Sequence, residues 1–324
     1  MNYIVFDLEW NQAAYKVDEE DELPFEIIEI GAVKMNKNAE IVDEFSALIR
    51  PQVYPFLVRR TREITGLSDD DLDRDGIYFE DAIASFLSWC GHDYVFCIWG
   101  PGDLTQLEKN MAYYDIRIPW RYPLRYLDVQ KLFALQEKEG KARRTLESAV
   151  DFYGIEHDRP FHRATDDAYY TARVLERIDR SQYESYFSVD YYKLPRNRFT
   201  ETTFYFDTYS KYVSRKFSLK EELVHDRKLR EIYCYKCKKK LKREIPWFSD
   251  GGRNYYCTGR CQEHGLMRCR IRVKTTEDHS GLFGVRTIKD CAPEEEATIV
   301  SKREHMKKRR REHKKQEAKE NDAT

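Results

Sequence analysis

The chain has 324 residues, of which 35% are charged, and its mean hydropathy is -0.77. Single cores tend to split beyond ~250–300 residues, so this length predicts two domains. No apolar run approaches the ~20 residues of a membrane-spanning helix, and the N-terminus lacks the basic and apolar regions of a secretory signal. We therefore exclude a helical membrane protein and expect a cytoplasmic protein with no membrane partner.

Charge is distributed unevenly, although the net charge is only -1. Residues 1–180 contain 22 Lys and Arg against 35 Asp and Glu, whereas residues 181–324 contain 34 against 22. An excess of cations raises the local concentration of polyanions such as nucleic acid. It is equally typical of a solvated surface without a partner, so charge alone leaves both interpretations open.

Residues 1–180 show the element order of an α/β domain. Apolar strand patterns occupy residues 2–7, 26–35, 40–50 and 94–99, and helical periodicity occupies 78–90, 103–111, 129–136, 146–153 and 165–178. The turn residues 36–38 predict a hairpin between the second and third strands. Strands followed by alternating helices and strands predict a mixed central sheet flanked by helices.

Two acids lie close together on the first predicted strand. Asp7 and Glu9 are two residues apart, so both side chains project from the same face of a strand. Placing two carboxylates side by side near a core is unfavourable unless a divalent cation binds them. The alternative is that the strand ends at Asp7 and both acids face water.

Three further residues have the chemistry of a site. Asp103 follows a predicted strand, where α/β sheets bind their ligands, although Asp is also a common helix N-cap. His162 and Asp167 flank Thr165, which we expect to cap the following helix. Asp167 lies on the side of that helix nearer its apolar stripe, whereas Asp166 lies on a polar side. Both acids would also suit the helix dipole without any further role.

Together these residues resemble the motifs of a known family. Asp7-Leu-Glu9, Gly-Pro-Gly-Asp103 and His162-x4-Asp167 are similar to the three motifs of the DEDDh 3′–5′ exonucleases, a DnaQ-like group with a ribonuclease-H-like fold. The resemblance covers residues 1–180 and is strongest to Eri-type and KapD-like exonucleases. Arg163 stands where the tyrosine subclass carries Tyr, which favours the histidine subclass.

The resemblance implies a role for each of these residues. Asp7, Glu9, Asp103 and Asp167 would bind two Mg²⁺ or Mn²⁺ ions, and His162 would be the general base. Such an enzyme releases nucleoside 5′-monophosphates from a 3′ end. The alternative is a nucleic-acid-binding protein with an inactive exonuclease fold, but all five residues are present, which favours the enzyme.

The resemblance also bears on the substrate. Similarity to the Eri-type enzymes favours single-stranded RNA over DNA. Leu8 and Trp10, beside the two acids, are candidate substrate contacts. Trp10 is equally well interpreted as a core aromatic residue.

Eight cysteines in a cytoplasmic protein suit thiols or metal ligands better than disulfides. Cys234-x2-Cys237 and Cys257-x3-Cys261 resemble the ligand pairs of a zinc ribbon and predict a structural Zn²⁺. The second pair has one residue more than the usual spacing, so His264 or Cys269 remains an alternative ligand. Four free thiols are the other interpretation.

The predicted architecture is therefore an α/β, ribonuclease-H-like exonuclease domain with a small C-terminal zinc-binding segment and a basic tail. The predicted boundaries are an exonuclease domain at 1–180, a Tyr-rich connector at 181–230, a zinc-ribbon-like module at 231–275 and a charged, disordered tail at 276–324. Lys, Arg and aromatic residues interleaved around the cysteine pairs predict contacts with single-stranded nucleic acid.

Overall fold

The computed structural model describes residues 1–120, 122–139, 143–181, 183 and 186–321. The chain divides into two compact units, Met1–Asp190 and Tyr191–Thr324. Among the described residues no helix has both the length and the apolar character that crossing a membrane requires.

The first unit is a six-stranded mixed sheet with helices packed on it. The strand order is β3-β2-β1-β4-β5-β6, with β1 antiparallel to β2 and parallel to β4. The strands are β1 (Asn2–Asn11), β2 (Glu26–Met35), β3 (Ile41–Leu48), β4 (Tyr94–Ile98), β5 (Arg125–Asp128) and β6 (Ser188–Val189). The helices are α1 (Arg59–Thr65), α2 (Asp69–Asp75), α3 (Phe79–Cys90), α4 (Gly102–Tyr113), α5 (Val129–Gln136), α6 (Leu146–Phe152) and α7 (Ala164–Arg177). The predicted mixed α/β fold is confirmed.

The central strand β1 is longer than its apolar pattern predicts. It continues beyond Asp7 to Asn11 because β2 pairs with it over that length, placing Asp7 opposite Gly31 and Glu9 opposite Glu29. Both acids are therefore inside a strand, and the alternative in which the strand ends at Asp7 is wrong.

The core of this unit lies between the sheet and α3 and α4. Phe6 of β1 contacts Phe86 of α3 and Phe96 of β4 through edge-on rings, with centroids 5.9 and 5.1 Å apart. On the opposite face α7 lies directly on the sheet. A Cβ atom at Gly31 would be 1.9 Å from the backbone nitrogen of Thr165, so only glycine permits this approach.

The start of α7 differs from the prediction. The helix begins at Ala164, with Arg163 as its N-cap residue, and the Thr165 hydroxyl has no hydrogen-bond partner among the described residues. The helix already includes Ala164, so Thr165 lies inside its first turn and cannot be the N-cap residue. The Glu29 carboxylate instead accepts the N–H of Ala164, at 3.3 Å. The predicted Thr165 cap is therefore wrong.

The second unit is an antiparallel six-stranded sheet in the order β7-β8-β12-β11-β10-β9. Its strands are β7 (Thr202–Tyr205), β8 (Tyr209–Val213), β9 (Lys242–Ser249), β10 (Asn254–Cys261), β11 (Gly265–Thr275) and β12 (Leu282–Asp290). Its helices are α8 (Lys220–His225), α9 (Arg227–Arg230) and α10 (Pro293–Asn321). One face of the sheet, with Ile271 and Val273 of β11, packs against Leu223 and Leu229 of α8 and α9.

The structure corrects the predicted boundaries of the C-terminal half. The predicted connector 181–230 supplies β6 to the first unit and β7, β8, α8 and α9 to the second. The segment 276–324, predicted to be disordered, contains β12, which lies between β8 and β11, and the helix α10. The high charge of the last residues had masked the strand at 282–290, which is buried on both faces and includes Phe283, Val285 and Ile288.

Candidate active site

Carboxylates from three elements converge at one place on the first unit. Asp7 and Glu9 project from the same face of β1, and Asp167 comes from the first turn of α7. Oxygen atoms of these three carboxylates all lie within 4.8 Å of one another. Asp103 lies in the first turn of α4, just after β4, and is 7% exposed. Because β4 is parallel to β1, the ends of the two strands bring Asp103 toward Asp7.

The pKa values of all four carboxyl groups are raised. Burial is the largest cause in each case, and the charges of neighbouring carboxylates add to it. The pKa of Asp7 is raised well above its usual range, with Asp103 the strongest charged neighbour. The pKa is raised to about 8 for Glu9, about 7 for Asp103 and about 6 for Asp167.

Clustered acids of this kind suit a divalent cation. Hard cations prefer carboxylate oxygens, and their charge removes the mutual repulsion that raises these pKa values. The chemistry of the four carboxylates and the spacing of Asp7, Glu9 and Asp167 therefore fit Mg²⁺ or Mn²⁺.

His162 lies beside this cluster. Its side chain is exposed, and its backbone is in the left-handed region with φ 67°. The backbone N–H of His162 donates to Asp167 at 3.3 Å. Its imidazole is also close enough to lower the pKa of Asp167, against the larger effect of burial. The structure thus places His162 next to Asp167, at the edge of the carboxylate cluster.

A buried ion pair that no local sequence pattern indicates anchors the loop bearing His162. Glu29 of β2 is 1% exposed and receives two hydrogen bonds from the Arg163 guanidinium, at 2.8 and 3.1 Å. It also accepts the first N–H of α7, from Ala164. The only sequence signal is a Glu within the apolar run EIIEIGA, which gives no indication of a partner 134 residues away.

For the exonuclease activity that the sequence resemblance implies, we expect Glu29→Ala to reduce kcat by about 10²-fold and to change KM for a dinucleotide much less. The substitution leaves Arg163 without its buried partner and releases the backbone next to His162, and small misplacements of catalytic groups are costly. Steady-state kinetics on a dinucleotide would measure both constants. Glu44→Ala is a matched control because Glu44 of β3 likewise pairs with an arginine, Arg159, at 2.8 Å, but is exposed where Glu29 is buried. Equal losses in both variants would contradict a role for Glu29 in positioning His162.

The two predicted substrate contacts differ in their placement. The Leu8 side chain is 3% exposed and packs in the core, so the prediction that it contacts substrate is corrected. Only its backbone faces the site, where its N–H lowers the pKa of Asp103 against the effect of burial. Trp10 is half-buried, packs on the same core and has its ring centroid 6.0 Å from that of Phe25.

A second cluster of metal-ligating side chains lies in the second unit. Sulfur and nitrogen atoms of Cys234, Cys237, Cys261 and His264 all lie within 4.8 Å of one another. The Cys237 and Cys261 sulfurs are 3.6 Å apart, and His264 Nδ1 is 3.6 Å from the sulfurs of both Cys234 and Cys261. Two sulfurs bound tetrahedrally to one Zn²⁺ at ~2.3 Å would be ~3.8 Å apart, so the cluster fits zinc.

Cys257 does not belong to this cluster, which corrects the predicted set. Cys257 and Cys261 both lie on β10, and four residues of strand span ~13 Å. Cys257 instead faces Cys269 of β11, and burial followed by this thiol neighbour raises its pKa. For Cys261, burial raises the pKa, but hydrogen bonds involving His264 outweigh it and lower the pKa to about 6.

Comparison with known proteins identifies the class to which this fold and site belong. Residues 4–175, more than half of the chain, match the RNase_T family, described as Exonuclease. The chain therefore belongs to this exonuclease family, and the predicted relationship to the DEDDh exonucleases is confirmed.

Individual relatives agree with this assignment. The chain is 26% identical over 183 residues to the probable 3′–5′ exonuclease KapD of Bacillus subtilis (strain 168), covering 55% of this chain and 85% of that protein. It is 25% identical over 164 residues to 3′–5′ exoribonuclease 1 of Rattus norvegicus, covering 47% of this chain and 46% of that protein. The match thus spans about half the length of the rat relative.

A solved structure shows the same fold. The nuclease domain of 3′hExo, a DEDDh family member bound to rAMP, superposes with a TM-score of 0.50 at 20% identity. The superposition covers 58% of this chain and 96% of that domain. The ribonuclease-H-like exonuclease fold predicted for the first unit is therefore confirmed.

Proposed function

We propose that this exonuclease hydrolyses single-stranded nucleic acid from the 3′ end by two-metal catalysis and releases nucleoside 5′-monophosphates. The observation that supports this most directly is the convergence of Asp7, Glu9, Asp103 and Asp167 with raised pKa values beside an exposed histidine. A purely structural role does not account for four carboxylates in mutual repulsion, because repulsion of this kind destabilises the fold.

In this proposal the four carboxylates hold two Mg²⁺ or Mn²⁺ ions. Such ions, when bound, polarise a phosphodiester and stabilise the charge on its leaving 3′ oxygen. The protein contributes a fixed donor set, since β1 is a central strand and α7 lies directly on the sheet.

His162 is the proposed general base. Its imidazole is exposed beside Asp167, so it can accept a proton from the attacking water without first being uncovered. Imidazole suits this role because its unperturbed form exchanges protons near neutral pH. The Glu29–Arg163 pair holds the adjoining backbone, which limits the positions that the imidazole can reach.

RNA is the proposed substrate in preference to DNA. The support is the similarity to a protein named 3′–5′ exoribonuclease 1. A site that hydrogen-bonds a substrate hydroxyl discriminates strongly against the analogue without it, so a true preference for RNA should be large.

The direct test is digestion of matched single-stranded RNA and DNA with a 5′ label, in Mg²⁺ or Mn²⁺. We expect a ladder of progressively shorter labelled products and a kcat/KM at least about tenfold higher for RNA. A strand whose 3′ end is blocked by an inverted nucleotide is the control and should remain intact. Internal cuts in the blocked strand would indicate an endonuclease, and no cleavage of any strand would indicate the inactive, nucleic-acid-binding alternative.

We also propose a structural Zn²⁺ bound by Cys234, Cys237, Cys261 and His264. The ligand types and separations are those of a closed tetrahedral site. Lys238, with φ 62°, closes the turn between the first two cysteines and the start of β9, and its N–H donates to the Cys234 carbonyl at 2.8 Å. The ion would tie this turn to the hairpin formed by β10 and β11.

A further inference from the structure

A row of cations runs along β11, a central strand of the second unit. Side chains at alternate positions of a strand face the same side. One face of β11 carries Met267, Cys269, Ile271 and Val273, which are all buried in the core. The opposite face carries four cations, and this set is the cationic row: Arg268, Arg270, Arg272 and Lys274.

Residues of the neighbouring strands lie beside the cationic row on the same face of the sheet. Arg270 is paired with Tyr256 of β10 on one side and with Thr287 of β12 on the other, and Thr287 is paired with Lys211 of β8. Arg268 is similarly opposite Lys289 of β12. Paired residues of neighbouring strands share a face, so beside Arg268 and Arg270 the cationic row continues as a wider basic surface that includes the Tyr256 ring. At the other end of the row, Arg272 and Lys274 are paired with the buried Val285 and Phe283 of β12.

The cations of the row are not equally neutralised. Arg268 forms an ion pair with Glu295 of α10 at 2.8 Å, and Lys274 lies over the Tyr191 ring at 4.1 Å. Arg270 and Arg272 are exposed, and neither has a carboxylate partner among the side chains that the structure describes. Like charges two residues apart on a strand repel each other, so this arrangement does not stabilise the sheet.

Protection of a sheet edge does not explain the row. Lysine and arginine often cover edge strands to prevent association with other sheets. β11, however, is hydrogen-bonded to β10 and β12 along nearly its whole length and has no free edge. The charges therefore serve a purpose other than edge protection.

Helix α10 borders the row on the β10 side. Its contacts with the sheet recur at alternating intervals of four and three residues, the spacing of one helical face. Lys302 lies 4.7 Å from the centre of the Tyr256 ring, and Met306 approaches Gly251 in the turn after β9. This helical face carries Glu295, Lys302, Met306 and Arg309, which contact the sheet or its turn, and the buried Ile299. The helix thus forms a wall beside the row and adds positive charge to it.

We propose that the cationic row binds the sugar–phosphate backbone of single-stranded nucleic acid, at a site separate from the catalytic carboxylates. Its cations recur every ~6.8 Å along the strand. This interval is of the same order as the reach of one extended nucleotide, and it is twice the ~3.4 Å axial rise between phosphates of a duplex strand. The idea that the cationic row holds long substrates rests on the proposed exonuclease function, whereas binding of single-stranded nucleic acid to the row does not.

The test measures binding to the full-length chain carrying Asp7→Asn, which prevents hydrolysis, with a fluorescently labelled 20-nucleotide RNA as the probe. We expect Arg270→Glu with Arg272→Glu to weaken affinity at least about tenfold. The slope of log Kd against log salt should fall by about 1.4, because two phosphate contacts are lost at ~0.7 each. The neutral double variant, Arg270→Gln with Arg272→Gln, should show an intermediate loss of affinity for the RNA.

The matched control is Lys220→Glu with Arg227→Glu, which makes the same charge change at exposed positions of α8 and α9. Affinity within twofold of the parent is expected for it, and unchanged thermal melting would show that all variants are folded. The proposal would be overturned if the row and control variants lost the same affinity for the RNA. It would also be overturned if the row variant lost as much affinity for a blunt duplex of the same length as for the single strand. Dinucleotide hydrolysis by the wild-type chain, measured in parallel, tests the proposed function independently.

Discussion

Asp103→Asn is expected to slow release of the 3′-terminal nucleotide by about 10³-fold and yet to stabilise the protein when no divalent ion is bound. The loss of rate follows from removing one of four carboxylates that the proposed catalysis requires, in a site where charge stabilisation contributes most. The raised pKa of Asp103 means that its charged form is unfavourable in the folded protein, because of burial and of repulsion from Asp167. The neutral Asn side chain removes both effects, so the folded state becomes more stable.

Without divalent ions, the stability of the folded protein depends on pH with a definite sign. Carboxyl groups in the unfolded chain titrate near pH ~4, whereas Asp167, Asp103 and Glu9 have pKa values of about 6, 7 and 8 in the folded protein. The folded state therefore binds more protons between these limits, and its stability falls as pH rises from ~4 to ~8. Saturating Mg²⁺ should reverse this loss of stability at high pH.

Thermal melting in Mg²⁺-free buffer at pH 5 and pH 8 measures this effect. Asp103→Asn should raise Tm at pH 8 by about 2–4 °C for each kcal/mol of repulsion relieved, with a smaller change at pH 5. The matched control is Asp166→Asn, because Asp166 shares the first turn of α7 but faces Arg159 at 3.7 Å. A similar loss of activity in both variants, or a lower Tm for Asp103→Asn at pH 8, would contradict the assigned site.

Cys261→Ala should abolish zinc binding and unfold much of the second unit. Structural zinc contributes ~10–16 kcal/mol to the folding of small zinc-finger peptides, so losing one of four ligands removes much of the stabilisation. Metal analysis of the purified chain should find about one zinc per molecule in the wild type and almost none in this variant. Limited proteolysis should then cleave within the second unit first.

Cys257→Ala is the matched control for zinc binding. Cys257 is on the same strand as Cys261 but is buried opposite Cys269, outside the ligand cluster. This variant should retain its zinc, although the small cavity lowers the melting temperature. If Cys257→Ala loses the metal and Cys261→Ala retains it, the ligand set inferred from the geometry is wrong.

Local sequence rules sufficed to place the clustered acids near one another because each rule acts over a few residues. The alternation of a strand placed Asp7 and Glu9 on one face, and helical periodicity placed Asp167 nearer the core than Asp166. The Glu29–Arg163 pair could not be found in this way, since 134 residues separate its members and the pairing depends on α7 lying over β2.

The zinc ligands and the C-terminal elements were harder for a different reason. Whether Cys257 and Cys261 meet one ion depends on whether the chain between them is a turn or a strand, and their spacing does not reveal this. Helix α10 is highly charged, and β12 lies within the sheet because it pairs with β8, which is distant in sequence, as well as with the preceding strand β11. Composition alone therefore suggested disorder where tertiary contacts produce structure.

The contact at Gly31 also restricts how this exonuclease can diversify. A side chain at that position would separate α7 from β2 and so displace Asp167, His162 and the Glu29–Arg163 pair together. Mutational drift is therefore tolerated poorly in this part of the fold. New specificities are more readily acquired through the exposed segment 14–22 between β1 and β2, which lies outside that contact.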